Sequence, residues 1–149
     1  MNHFRVMACS AALLATTAGS VLAVDFRSVA GTPAVLYDAP SEKGRKVFVA
    51  PRGMPVEVVL VYGDWTKVRD AAGDLFWIES KALATKRTLV VRTAGTRVRA
   101  SADDNAATIM TADKGVLLDL AEPVSSGWIK VRHRDGLGGF IKATDVWGD

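Results

Sequence analysis

His133 is the only histidine beyond residue 23, and Asp135 follows it by two positions. An imidazole acts as a base toward a nearby nucleophile, and a metal site needs three or four ligands at recognisable spacing. Neither pattern surrounds His133. The one cysteine is Cys9, and no serine stands in a nucleophile-elbow motif. Asp38, Asp64, Asp70, Asp74, Asp103, Asp104, Asp113 and Asp135 fall in turn-type segments, where aspartate bonds its own backbone. Their spacing does not by itself decide against a glycosidase-type carboxylate pair. Gly136-Leu137-Gly138-Gly139 lacks the Lys-Ser/Thr and helix of a phosphate loop and reads as a turn. The expectation is no catalytic residue, no cofactor and no metal.

The side chains suited to binding are aromatic and basic. Lys67 and Arg69, and again Lys130 and Arg132, alternate with Val68 and Val131 at the period of a strand. They form either a solvated face whose stems cover apolar surface or a basic strip for the carboxylates of an acidic partner. Trp65 and Trp128 each open one of these segments. They read as core or rim packing, or as platforms for an extended peptide.

The elements that carry these residues occur twice. Trp65-Thr66-Lys67-Val68-Arg69 aligns with Trp128-Ile129-Lys130-Val131-Arg132. Glycine follows at offset eight (Gly73, Gly136), an aromatic at twelve (Trp77, Phe140) and isoleucine at thirteen (Ile78, Ile141), so six of fourteen positions are identical without a gap. Leu83 and Val146 each lie six residues past the second aromatic. Upstream, Gly53 precedes its tryptophan by twelve residues and Gly115 by thirteen, a difference one turn residue absorbs. Such self-similarity marks two copies of one unit, residues 28–87 and 88–149.

Each copy reads as short strands and turns. In the first, strands are expected at 34–37, 46–49, 56–62, 65–69 and 75–78, with a single 3₁₀ or α turn within 79–84. In the second they are expected at 89–92, 96–99, 106–110, 116–120, 128–132 and 139–142. Gly73 and Gly136 are placed at hairpin turns that need positive φ. Two small all-β barrels in tandem follow, with large aromatics expected to supply much of each core.

Residues 1–23 have the layout of a secretory signal peptide: Arg5 in a short basic start, an apolar stretch from Val6 to about Ala18, and Val21-Leu22-Ala23 before a cut. Thr16, Thr17, Gly19 and Ser20 interrupt the run, which is short for a spanning helix. Cleavage after Ala23 leaves 126 residues with no transmembrane span and removes Cys9, so no disulfide or thiol chemistry remains. The net charge falls from +3 to about +2 with Arg5 gone, which argues against nucleic acid as a partner. The expected location is the periplasm or the outside of the cell.

Trp-x-Lys-Val-Arg, a glycine turn and then aromatic-Ile together resemble the bacterial SH3-like domain family, across essentially all of 28–149 as two copies. Thr96-Arg97-Val98-Arg99-Ala100-Ser101 is similar to the opening strand of such domains, without the usual Gly-Pro. Leu36-Tyr37-Asp38-Ala39-Pro40 takes that place in the first copy. The resemblance implies an SH3-like fold and a groove lined by Tyr37, Trp65 and Trp77 in copy one, and by Arg99, Trp128 and Phe140 in copy two. It also implies a non-catalytic envelope module that binds a peptide of the wall or a partner envelope protein. The alternatives are a structural protein whose aromatics serve packing between domains or subunits and, more remotely, a cell-wall hydrolase.

Overall fold

The computed structural model describes residues 23–149. The expected export segment and Cys9 fall on residues 1–22, outside the described residues. The first barrel is built from β1 (Phe26–Val29), β2 (Ala34–Tyr37), β3 (Lys46–Ala50), β4 (Pro55–Tyr62), β5 (Trp65–Arg69), β6 (Leu75–Glu79) and β7 (Leu83–Ala84), with a 3₁₀ turn at Ser80–Ala82 before β7. The second repeats it with β8 (Thr88–Val91), β9 (Thr96–Arg99), β10 (Thr108–Ala112), β11 (Leu117–Ser125), β12 (Trp128–Arg132), β13 (Gly138–Lys142) and β14 (Val146–Trp147), with a 3₁₀ turn at Ala143–Asp145. Neighbour order is β3-β2-β6-β5-β4-β1-β7 in one sheet and β10-β9-β13-β12-β11-β8-β14 in the other, the same topology twice. The fold is all-β with two SH3-like units. The stretch 102–110 holds bends, a turn and the start of β10, two residues later than the expected strand at 106–110.

The two turn glycines adopt φ of 92° at Gly73 and 95° at Gly136, a region that disfavours any side chain. Asp70 closes the first turn by accepting from the N–H groups of Ala72 and Asp74. Gly139 is needed for close approach instead. A Cβ there would lie 2.5 Å from the carbonyl oxygen of Arg99, so its absence lets β13 approach β9.

Alternation decides the interior. In β5, Thr66 and Val68 point inward and Trp65, Lys67 and Arg69 outward. The first core gathers Val29, Ala34, Leu36, Ala50, Val56, Val68 and Ile78, and the second gathers Leu89, Val91, Val98, Ala112, Leu118, Ile129, Val131, Ile141 and Val146. Neither cluster contains a tryptophan, which corrects the expectation that aromatics build these cores. Inward positions on strands this short are filled by aliphatic and β-branched residues, and each indole falls on an outward or rim position where it is half-buried.

Two further differences from the sequence reading are local. β1 was not anticipated, because Phe26-Arg27-Ser28-Val29 shows no apolar alternation. The extra residue between Gly115 and Trp128 is not in a turn: it sits inside β11, where Glu122 to Ser125 opposes Lys130 to Trp128, three steps against two. Such a bulge tolerates Pro123, whose missing N–H needs no ladder partner there.

A short tether, residues 85–87, joins β7 to β8, and both barrels hold it. Ser28 Oγ donates to Lys86 O at 2.7 Å, and Arg87 Nη2 donates to Gly148 O at 2.8 Å. The Arg87 guanidinium lies 5.3 Å from the Phe26 ring, and Phe26 meets Trp147 edge-on at 5.0 Å. One ring of each barrel and the tether thus form a single clamp.

Two outcomes are expected. Ile78→Ala and Ile141→Ala should each cost about 2–5 kcal/mol in urea unfolding, as buried large-to-small changes do, and Trp128→Ala less than either. NMR relaxation should give one common tumbling time for both barrels, and Phe26→Ala should split it.

Candidate functional site

The outward face of β4, β5 and β6 carries rows set by strand register. Tyr62 opposes Trp65, which opposes Glu79; Leu60 opposes Lys67, which opposes Trp77, which opposes Tyr37; Glu57 opposes Arg69, which opposes Leu75. A bulge between Val58 and Leu60 turns Leu60 and Tyr62 onto this face. Leu60, Tyr62 and Leu75 are 44%, 66% and 47% exposed, far more than apolar side chains in a packed sheet. Lys67 Nζ stands 5.8 Å from the Trp77 centroid, and Arg69 is held by Glu57 at 2.8 Å.

Beside Trp65 lies a cleft of about 590 Å³, walled by Pro40 to Lys43 on one side, by Gly63 and Asp64 on another, and by Glu79 to Lys81. The 38–45 loop owes its shape to Asp38. The carboxylate accepts from the Arg45 N–H at 2.8 Å and from Arg45 Nε at 3.2 Å, while the Asp38 N–H donates to Arg45 O. The backbone bond is the larger cause, and the side-chain bond the next, of an Asp38 carboxyl held below the usual aspartate range. The opposite wall is tied by the Ser80 N–H donating to Asp64 O at 2.8 Å and by the Thr66–Ser80 hydroxyl pair at 2.7 Å. Lys81 pairs with Glu79 at 2.7 Å, and that bond raises its pKa. Trp65 therefore forms an apolar floor among three carboxylates (Glu42, Asp64, Glu79) and two ammonium groups (Lys43, Lys81). Such a set suits an extended peptide bearing both amine and carboxylate groups.

Of the residues anticipated in copy one, Trp65 lines this cleft, while Lys67, Arg69 and Trp77 lie on the adjoining rows. Tyr37 is 7% exposed, its ring edge-on to Trp65 at 5.3 Å. That corrects its reading as an open groove wall, since it props the indole from below. The sequence reading missed Leu60 and Tyr62, and also Glu42, Asp64, Glu79 and Lys81. The unbroken apolar run into Tyr62 was the available signal for the first pair.

The same positions in copy two carry charged pairs beside a smaller cleft. Ser125 opposes Trp128, which opposes Lys142; Glu122 opposes Lys130, which opposes Phe140, which opposes Arg99. Lys142 lies 5.7 Å from the Trp128 centroid and 2.6 Å from Asp104. Lys130 binds Glu122 at 2.7 Å, and Arg99 donates to Ala106 O at 2.9 Å. Arg132 is exposed on the same face. The cleft beside Trp128 is about 280 Å³. Asp135 holds His133 Nδ1 at 2.9 Å, and its carboxyl is lowered first by the Leu137 N–H and then by His133. No group of three or more metal-type ligands occurs among the described residues.

A family model described as the bacterial SH3 domain matches residues 30–84 and again 93–148. No curated protein matches the chain. Among solved structures it is similar to NlpC2 from Trichomonas vaginalis, at 12% identity and a TM-score of 0.39 over 87% of this chain and 50% of that one. It is also similar to NlpC1 from the same organism, at 10% identity and a TM-score of 0.39 over 94% and 51%. The chain thus spans about half the length of those structures.

Because folding lowers the pKa of Asp38, the loop contact is fully present above the ordinary aspartate pKa of about 3.9 and is lost as pH falls through the lower folded value. A carboxyl NMR titration should give Asp38 a midpoint below that of a free aspartate. Arg45→Ala should raise it only part of the way, since the residue 45 N–H remains. An Asp38 midpoint at the free value would contradict this geometry.

Proposed function

The chain belongs to the bacterial SH3 domain family, with the domain present twice, and from that premise we propose that it is a non-catalytic binding protein of the cell envelope. Its first copy takes an extended peptide segment of the wall, or of an envelope partner, in the cleft floored by Trp65. Domains of this family are often binding modules. The observation that carries the reading is the contrast between the copies. Leu60, Tyr62 and Glu79 stand in register beside the first tryptophan and its cleft of about 590 Å³, whereas Lys142, paired with Asp104, lies over the second beside a cleft of about 280 Å³, and Glu122 pairs with Lys130. Signal-type residues 1–23 support an exported location, periplasmic or secreted.

The structural alternative has its own observation, the Phe26–Trp147 contact between the barrels. Those rings are distinct from Trp65 and Trp77, so packing and ligand binding draw on separate aromatics.

Trp65→Ala should reduce retention on purified peptidoglycan by about tenfold or more, the loss typical of an aromatic anchor, with the circular dichroism spectrum unchanged. Trp128→Ala should change it by less than about twofold, as expected of a peripheral contact. Equal retention of both folded variants and the parent would refute the reading.

A further inference from the structure

A second cleft, of about 820 Å³, lies at the seam between the barrels, away from Trp65. Equivalent turns of the two copies frame it: Gly53 donates to Val29 O at 2.9 Å, and Gly115 donates to Val91 O at 2.8 Å. Its cationic side chains come from three places. Arg52 belongs to the turn before β4, Lys86 to the tether and Arg134 to the turn after β12. The one carboxylate in the lining is Asp119, which Lys86 already occupies at 2.7 Å. Asp135, next to Arg134, is outside the lining and lies 2.9 Å from His133 Nδ1. Arg52 and Arg134 therefore meet no carboxylate among the described residues. Thr88, 4% exposed, also lines the cleft, and its Oγ1 is buried with no hydrogen-bond partner.

We propose that this seam is a binding site for the terminal carboxylate of a short apolar peptide. Guanidinium groups favour planar oxyanions and engage them through paired N–H donors. Concave walls around a charge surplus strengthen that field. The volume suits a ligand of several residues rather than a lone inorganic ion. Val116 and Leu117, both half-buried, add apolar wall beside the cations, a place for the body of the peptide. Because Arg52 and Arg134 come from different barrels, the site exists only in the clamped pair. The inference is independent of the Trp65 cleft.

Isothermal titration of the whole protein with trialanine, trialanine amide and inorganic phosphate tests it. Trialanine should bind saturably, the amide about tenfold or more weakly, and phosphate more weakly than trialanine. Arg52→Gln and Arg134→Gln should each weaken trialanine by about tenfold, the scale of one lost charge-assisted contact, with unchanged melting temperature. Arg97→Gln, an exposed arginine outside the seam, should have no effect. Trp65→Ala should leave trialanine binding intact, which separates failure of this site from failure of the first. Four results would overturn the proposal: no saturable trialanine binding, equal binding of the amide, phosphate binding as tightly as trialanine, or indifference to both arginine variants.

Discussion

Each barrel closes on seven to nine buried aliphatic and β-branched side chains, and the alternation of its strands leaves indoles no inward position. Everything on the surface follows from that packing constraint. Val68 and Ile78 point in, so Lys67, Trp77 and Trp65 are turned out together on one face. Tyr37 joins them from β2 and, largely buried, meets Trp65 edge-on. The aromatic groups are thus held by a rigid aliphatic interior without belonging to it. Such a scaffold lets surface residues change while the fold persists.

The two copies illustrate this freedom. Their strand order is the same and their cores are alike in kind, yet Leu60 corresponds to Glu122, Tyr62 to Ser125, Tyr37 to Arg99 and Glu79 to Lys142. In the second copy these exchanges place opposite charges within bonding distance and a lysine over the indole. The added residue at Pro123 alters the twist of β11 beside Trp128. One fold therefore presents a larger amphipathic cleft once and a smaller, more charged one once. The Phe26–Trp147–Arg87 clamp joins the two barrels beside the tether.

Much of the fold was legible because local pattern and tertiary role agree. Trp65–Arg69, Thr96–Arg99 and Trp128–Arg132 could be read to the residue, since alternation and flanking turns both mark them. Gly73 and Gly136 were readable from their place in the repeat. The location of the tryptophans was not, because strand parity rather than size decides which side a ring takes. Of the cleft, only Trp65 was foreseen, with its neighbours Lys67, Arg69 and Trp77. Glu42, Asp64, Glu79 and Lys81 come from three separated segments that only the closed barrel brings together. The seam was beyond reach for the same reason, as Arg52 and Arg134 lie far apart in the chain.

The central claim is that the first copy, at Trp65, is the ligand-binding half of the pair. The most direct measurement is a titration of the ¹⁵N-labelled protein with soluble peptidoglycan fragments, followed by amide and indole chemical shifts. The account predicts saturable shifts at 40–43, 63–65 and 79–81, including the Trp65 indole, with Trp128 and Lys142 unmoved. Shifts concentrated around Trp128, or none in the first copy at saturation, would contradict it.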